Sequence, residues 1–191
     1  MQEDFQSAFA AIVCDRDTRR LFHHAPSEAL AAFVLSAKEK RVLCTIPKVQ
    51  WDRYANSLVQ KKWRELATIV PCSHRLSPGL AQIYKRWIER SPSGNKDSIL
   101  APGQRQALRA LPHMHAALSR QCESQYAPDL FAFEVLSSCS EADNIPRFLR
   151  TRCEIHTIAL QIQDNELSVE APSTPTQYRF CAKGFQWKRP V

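Results

Sequence analysis

Glycine is scarce in this chain: four in 191 residues (Gly79, Gly94, Gly103, Gly184), against twelve prolines. A phosphate-cradling loop of the G-x-G-x-x-G or G-x-x-x-x-G-K type needs closely spaced glycines, so the usual nucleotide enzymes are excluded. Long apolar runs are also missing. The longest uncharged apolar stretch, Ala29 to Ala37, falls far short of the roughly 20 residues that span a bilayer, and no membrane span is expected. The seven cysteines (Cys14, Cys44, Cys72, Cys122, Cys139, Cys153, Cys181) include no C-x-x-C pair, and neither G-x-S-x-G nor H-E-x-x-H occurs. An odd, scattered set fits free, mostly buried thiols better than a disulfide framework. The opening Met-Gln-Glu-Asp-Phe is acidic where a secretory signal would be basic and then apolar. A cytoplasmic protein is the expectation.

What is present is an ordinary globular composition, 44% hydrophobic and 24% charged, long enough for one large or two small domains. A chain of this size buries roughly 70% of its extended surface without staples. The formal charge of +7 and the pI near 9.2 allow an acidic partner without naming one. Residues 1 to 70 carry eleven basic and eight acidic side chains, residues 71 to 125 eight and three, and residues 126 to 191 seven and eight. The excess therefore peaks in the middle and vanishes over the C-terminal segment. A nucleic-acid-binding sheet would concentrate basic residues among its aromatics, and this count argues against one there.

Apolar residues recur at three and four from Asp4 to about Ser91, which predicts helices. Asp15 to Asp17 marks a boundary, Ser27 is a candidate N-cap, and Ser36 with Glu39 forms a capping-box pattern. Pro47 opens what should be the longest helix, carried by Val49, Tyr54, Leu58, Leu66 and Ile69 up to Pro71. Another amphipathic stretch follows Pro78-Gly79. The polar run Ser91 to Ser98 reads as a linker, giving a helical domain over 1–91, a linker over 92–103 and a second part over 104–191. Gln104 to Gln121 is helical, with a kink or split expected at Pro112. Past Pro128 the period reads as 2. Leu130 to Leu136 and Glu154 to Ile162 are candidate strands, the latter turning at Gln163–Glu166 into Leu167–Glu170 as a hairpin, and a last strand pair or one long strand begins at Gln177 to Ala182, with Phe185 and Trp187 after Gly184. The expected class is α+β, a helical N-terminal part followed by a small, antiparallel C-terminal sheet.

The chemistry-bearing pairs are sparse. His113-x-His115 on a helix point about 200° apart, and Cys153-x-x-His156 in a strand would face opposite sides of the sheet and supply half a site at most. No metal is expected in this chain. No cysteine has the local signature of a nucleophile. Lys61-Lys62-Trp63-Arg64 and Lys85-Arg86-Trp87 set Trp beside cations. On amphipathic helices that is a core or interface anchor with a solvated flank, although the same pairing can stack a base and grip phosphate. A small sheet appended to a helical body leaves edges, and an exposed edge is a template for an extended peptide.

The strings Phe9-Ala-Ala-Ile-Val-Cys-Asp-Arg-Asp17, Pro26-Ser-Glu-Ala-Leu-Ala-Ala-Phe-Val-Leu-Ser36, Tyr54-Ala-x-x-Leu58 and Lys62-Trp-Arg-Glu-Leu-Ala-Thr-Ile-Val-Pro71 carry a resemblance. The chain resembles the family of partner proteins encoded beside multinuclear iron oxidases that modify ribosomal peptides, the C-protein family of methanobactin biosynthesis. The resemblance implies a non-catalytic subunit that forms a heterodimer with the iron oxidase and holds the leader of the precursor peptide by strand addition. The oxidase then converts precursor cysteines into oxazolone and thioamide groups that ligate copper. It implies iron in the partner and no cofactor in this chain. Helical domains of this kind have also been described as DNA-binding, which keeps a nucleic-acid-binding regulator as the alternative. On the subunit reading, Ile158, Leu160, Ile162, Tyr178 and Phe180 are the expected leader-binding residues. Trp63 and Trp87 are the expected anchors for the oxidase, because interface hot spots favour Trp, Tyr and Arg.

Overall fold

Capping residues and prolines set the helix boundaries in the first half of the chain. The structure is a computed structural model describing residues 2–90, 99–122, 124–165, 169–171 and 173–189. Helix α1 (Gln2–Cys14) ends at Asp15, whose carboxylate accepts the Thr18 amide at 2.6 Å and caps α2 (Arg16–His24). Pro26 takes the first position of the short α3 (Pro26–Ala29), so Ser27 lies inside the helix and is not its cap. Helix α4 (Ala37–Thr45) carries the expected capping box: the Glu39 amide donates to Ser36 Oγ at 3.3 Å, and the Glu39 carboxylate accepts the Ser36 amide at 2.8 Å. The 22-residue α5 (Lys48–Ile69) begins just after Pro47 and is the longest described helix. Helices α6 (Pro71–Leu76) and α7 (Leu80–Ile88) follow. Helix α8 (Pro102–Gln121) runs through Pro112 without a split. One proline removes a single ladder bond, and the apolar stripe of Ala107, Ala110, Met114 and Leu118, all buried, runs on past it.

The second half departs further from expectation. Leu130 to Leu136 lies within α9 (Ala127–Asp143), and Glu154 to Ile162 forms most of α10 (Ile155–Gln163) with its N-cap, so neither is a strand. In α10 the buried residues are Ile155, Ile158, Ala159 and Ile162, spaced at three and four. That is helical periodicity, which alternation between two apolar sets had concealed. The hairpin expected beyond α10 does not form: Asp164 and Asn165 make a turn, Val169 and Glu170 join no strand, and residues 166–168 lie outside the described ones. The strands are β1 (Arg147–Thr151), β2 (Thr176–Cys181) and β3 (Gly184–Lys188), antiparallel in the order β1-β2-β3. The architecture is therefore α+β, mostly helical with a small antiparallel sheet at the C-terminal end.

The chain divides into two compact units, residues 1–62 with 85–94 and residues 63–84 with 95–191. Residues 63–84, assigned to the first domain by sequence, cluster with the second unit. Of the expected linker, 92–98 lie outside the described residues, and Pro102 and Gly103 already belong to α8. The first unit is built around Trp51, with Ile12, Phe22, Leu30 and Leu43 buried beside it and the Phe9 and Phe22 rings 5.0 and 5.6 Å from the indole. The second unit is built around α9, which is apolar and buried around most of its circumference because α6, α8, α10 and all three strands pack on it. The buried Glu134 of α9 caps α6: the carboxylate accepts the Cys72 amide at 2.7 Å, the Ser73 amide at 2.9 Å and the Ser73 hydroxyl at 2.5 Å. Burial pushes its pKa up, opposed by those hydrogen bonds.

Candidate functional site

The C-terminal sheet has one face inside the second unit and one outside it, because successive strand residues point to opposite sides. Inward lie Leu149 and Thr151 of β1 and Thr176, Tyr178 and Phe180 of β2. Tyr178 and Phe180 are fully buried against Phe133 of α9, ring centroids 5.2 and 5.4 Å away. β1 is fixed where it leaves α9. Asn144 caps the helix in the left-handed region (φ 56°), and Arg147 reaches back to Asp143 through two bonds of 2.7 and 2.6 Å that hold the aspartate below its usual range. The β2–β3 turn needs Gly184, whose φ of +107° would strain any other residue.

β3 is an edge. Among the described residues it pairs only with β2, and every position from Phe185 to Lys188 is exposed. Register places Phe185 beside Phe180 and Trp187 beside Tyr178, on the inward side, where the rim of the sheet leaves them 38% and 44% exposed. Beneath them His156 of α10 donates or accepts through Nδ1 to Tyr178 Oη at 2.8 Å, its ring 4.8 Å from Trp187 and 6.0 Å from Phe185. Burial lowers the His156 pKa, opposed by the nearby Glu154, and burial pushes Tyr178 up to about 12. Both groups are thus neutral near pH 7 and act as a hydrogen-bonded support for the edge. The exit of β3 is tied down by Arg189, whose guanidinium meets Glu154 at 2.6 Å. Leu160, four residues after His156 and so on the same helix face, is 56% exposed one turn along α10.

Of the expected leader-binding residues, Tyr178 and Phe180 do lie on a strand, but β2 is central, with both ladders occupied and both side chains in the core. A strand cannot add there. Ile158 and Ile162 are helical and buried; Leu160 is helical and exposed. The residues at the accessible edge are instead Phe185, Gln186, Trp187 and Lys188, with His156 and Leu160 adjacent in the fold. Trp63 is half-buried in the second unit, its ring 5.1 Å from His74 and 6.0 Å from Tyr84, and Trp87 is also half-buried.

The outward face carries Phe148 and Arg150 of β1, Gln177 and Arg179 of β2, and Gln186 and Lys188 of β3. Phe148, Gln177, Arg179, Gln186, Trp187 and Lys188 line a shallow cleft of about 360 Å³. A second, polar cavity of about 530 Å³ includes His115, Cys122, Asp129, Arg150 and Arg152 in its wall. There His115 Nε2 lies 3.3 Å from Asp129 Oδ1, and the Cys122 thiol and Ser77 hydroxyl are 2.8 Å apart. Burial raises the Cys72, Cys139 and Cys153 thiols to about 11, which keeps them protonated and inert as nucleophiles at neutral pH. Cys44, by contrast, is exposed, and Cys14, Cys122 and Cys181 are half-buried, so the expectation of buried thiols holds for three of the seven. Among the described residues no group of three or more His, Cys, Asp and Glu is arranged to hold a metal, and no helix is long and apolar enough to cross a membrane.

No family model, no curated protein and no solved structure matches this chain.

Proposed function

We propose that this chain is a non-catalytic partner subunit that holds an extended peptide along the β3 edge of its C-terminal sheet. The observation that carries the reading is that edge: an exposed strand, paired on one side only among the described residues, bearing Phe185 and Trp187 and braced by His156, Tyr178 and the Arg189–Glu154 pair. Strand addition draws affinity from main-chain hydrogen bonds and specificity from alternate side chains. An added strand next to β3 would continue the inward face and set every second residue toward Trp187, His156 and Leu160, so an apolar residue at those positions is favoured.

The family resemblance makes the reading specific. The peptide is the leader of a ribosomally made precursor, and the second subunit is an iron-dependent oxidase that turns precursor cysteines into oxazolone and thioamide groups in the cytoplasm. Iron and dioxygen chemistry then belong to the oxidase, and this chain presents the substrate. Co-expression with an iron-oxidase gene from the same locus tests the reading. A stable complex that binds the synthetic leader, and loses about tenfold or more in affinity on Trp187→Ala, supports it. A chain that neither co-elutes with the oxidase nor binds the leader refutes it.

A further inference from the structure

The outward face of the sheet has a charge pattern that the segment count hid. Residues 126–191 are nearly balanced, yet the three strands, RFLRT, TQYRFC and GFQWK, contain no carboxylate at all. Register gathers the outward side chains into two cross-strand rows, Phe148–Arg179–Gln186 and Arg150–Gln177–Lys188. Arg150, Arg179 and Lys188 are exposed, and Phe148 is 72% exposed between them. Arg150 Nη2 donates to Gln177 Oε1 at 2.7 Å with the amide turned to accept, which holds one guanidinium over the strand. Arg150 and Arg152 carry the positive surface on into the polar cavity beside the sheet. Several acidic residues of the same unit are engaged away from these rows: Glu134 with α6, Asp143 with Arg147 and Glu154 with Arg189; Asp129, in the wall of the cavity that Arg150 and Arg152 also line, pairs with His115.

We propose that this outward face docks a carboxylate-rich segment of a partner protein, with Arg150, Arg179 and Lys188 receiving carboxylates and Phe148 covered by an apolar side chain of the same segment. Charge complementarity selects the occupant: three cations and no anion within two adjacent rows match carboxylates, and arginine binds them through paired bonds. Single-stranded nucleic acid is a poorer fit. Sheets that bind it stack bases on two or three aromatic rings of the exposed face. Here Phe148 is the one ring within the two outward rows, and Trp187, whose row is inward, reaches the same cleft only at the β3 rim, so no run of two or three rings lies among the cations. The assignment concerns the face and not the edge, so it stands apart from the leader-binding reading.

Fluorescence anisotropy with a labelled peptide alternating Glu and Leu tests it on the full chain. Arg179→Glu with Lys188→Glu should weaken binding by about tenfold or more, and the neutral pair Arg179→Gln with Lys188→Gln should weaken it less. Circular dichroism and the thermal midpoint verify that both variants fold. Lys38→Glu with Lys40→Glu, on exposed positions of the first unit, makes the same change in net charge and should leave affinity within about twofold. Equal losses from both charge reversals would mean that only overall charge is sensed, and would overturn the proposal. So would labelled oligothymidine binding the same face more tightly than the acidic peptide, which would assign the face to nucleic acid. Leu160→Ala, on α10 and outside the cleft lining, should leave acidic-peptide binding unchanged even where it weakens leader binding, so the two readings fail separately.

Discussion

The two faces of one three-stranded sheet are made from alternate residues of the same strands, and they differ in almost every physical respect. The inward rows hold buried rings, a neutral His156–Tyr178 hydrogen bond and a bidentate Arg147–Asp143 pair. The outward rows hold exposed cations, two glutamines and one exposed ring. Cohesion therefore lives on one face and the proposed recognition on the other face and at the rim, so variants should separate stability from binding by residue parity.

The largest expected effect breaks the inward face. Phe180→Ala removes a fully buried ring packed on Phe133 and Phe185 and should lower unfolding free energy by about 3–5 kcal/mol in urea titration. A loss below about 1 kcal/mol would show that the inward face is not the core it resembles. Beneath the sheet, Glu134→Ala leaves the α6 amides and the Ser73 hydroxyl without their acceptor and should cost about 2–3 kcal/mol. At the turn, Gly184→Ala should cost roughly 1–3 kcal/mol through backbone strain alone, since nothing lies within 4 Å of an added Cβ.

A smaller effect tests the support of the edge. His156 has its pKa lowered by burial, so the folded state resists the proton that the unfolded chain accepts near pH 6.5. Its contribution is whole above that value and declines as the pH falls through the lowered folded-state pKa. The thermal midpoint of the native chain should fall more steeply between about pH 6.5 and pH 5 than that of His156→Gln; parallel curves would remove His156 from the account. Smallest of all, Phe148→Ser or Arg179→Gln on the outward face should change stability by less than about 0.5 kcal/mol.

How much of this was legible in the sequence depends on what surrounds each segment. The Ser36–Glu39 box, the Pro47 and Pro71 boundaries and the β2 strand were readable, because caps, prolines and a strand with one buried face leave local signatures. Helix α9 was not. Its residues from Leu130 to Leu136 are all buried, so no polar stripe marks a helical period, and Phe131, Phe133 and Val135 pass for strand alternation. In α10 the decisive clue was present in the spacing of Ile155, Ile158, Ala159 and Ile162, but His156 and Leu160 sit at even positions beside them and imitate a strand face. The site follows from this: strand-like alternation predicts Ile158 and Ile162 on an exposed strand, whereas the helix buries both. The cationic outward face was hidden for a different reason. Charge counted along the chain averages strands with helices, whereas the sheet assembles Arg150, Arg179 and Lys188 from three strands into one patch. A count restricted to the strands would have found it.

Whether β3 accepts a fourth strand, as proposed, is measured directly by amide hydrogen exchange. With the synthetic peptide of the proposed leader added to the full chain, the amides of Phe185 to Lys188 should gain protection while those of the first unit, residues 1–62, stay unchanged. Protection confined to the first unit, with β3 exchanging as in the peptide-free chain, would contradict it.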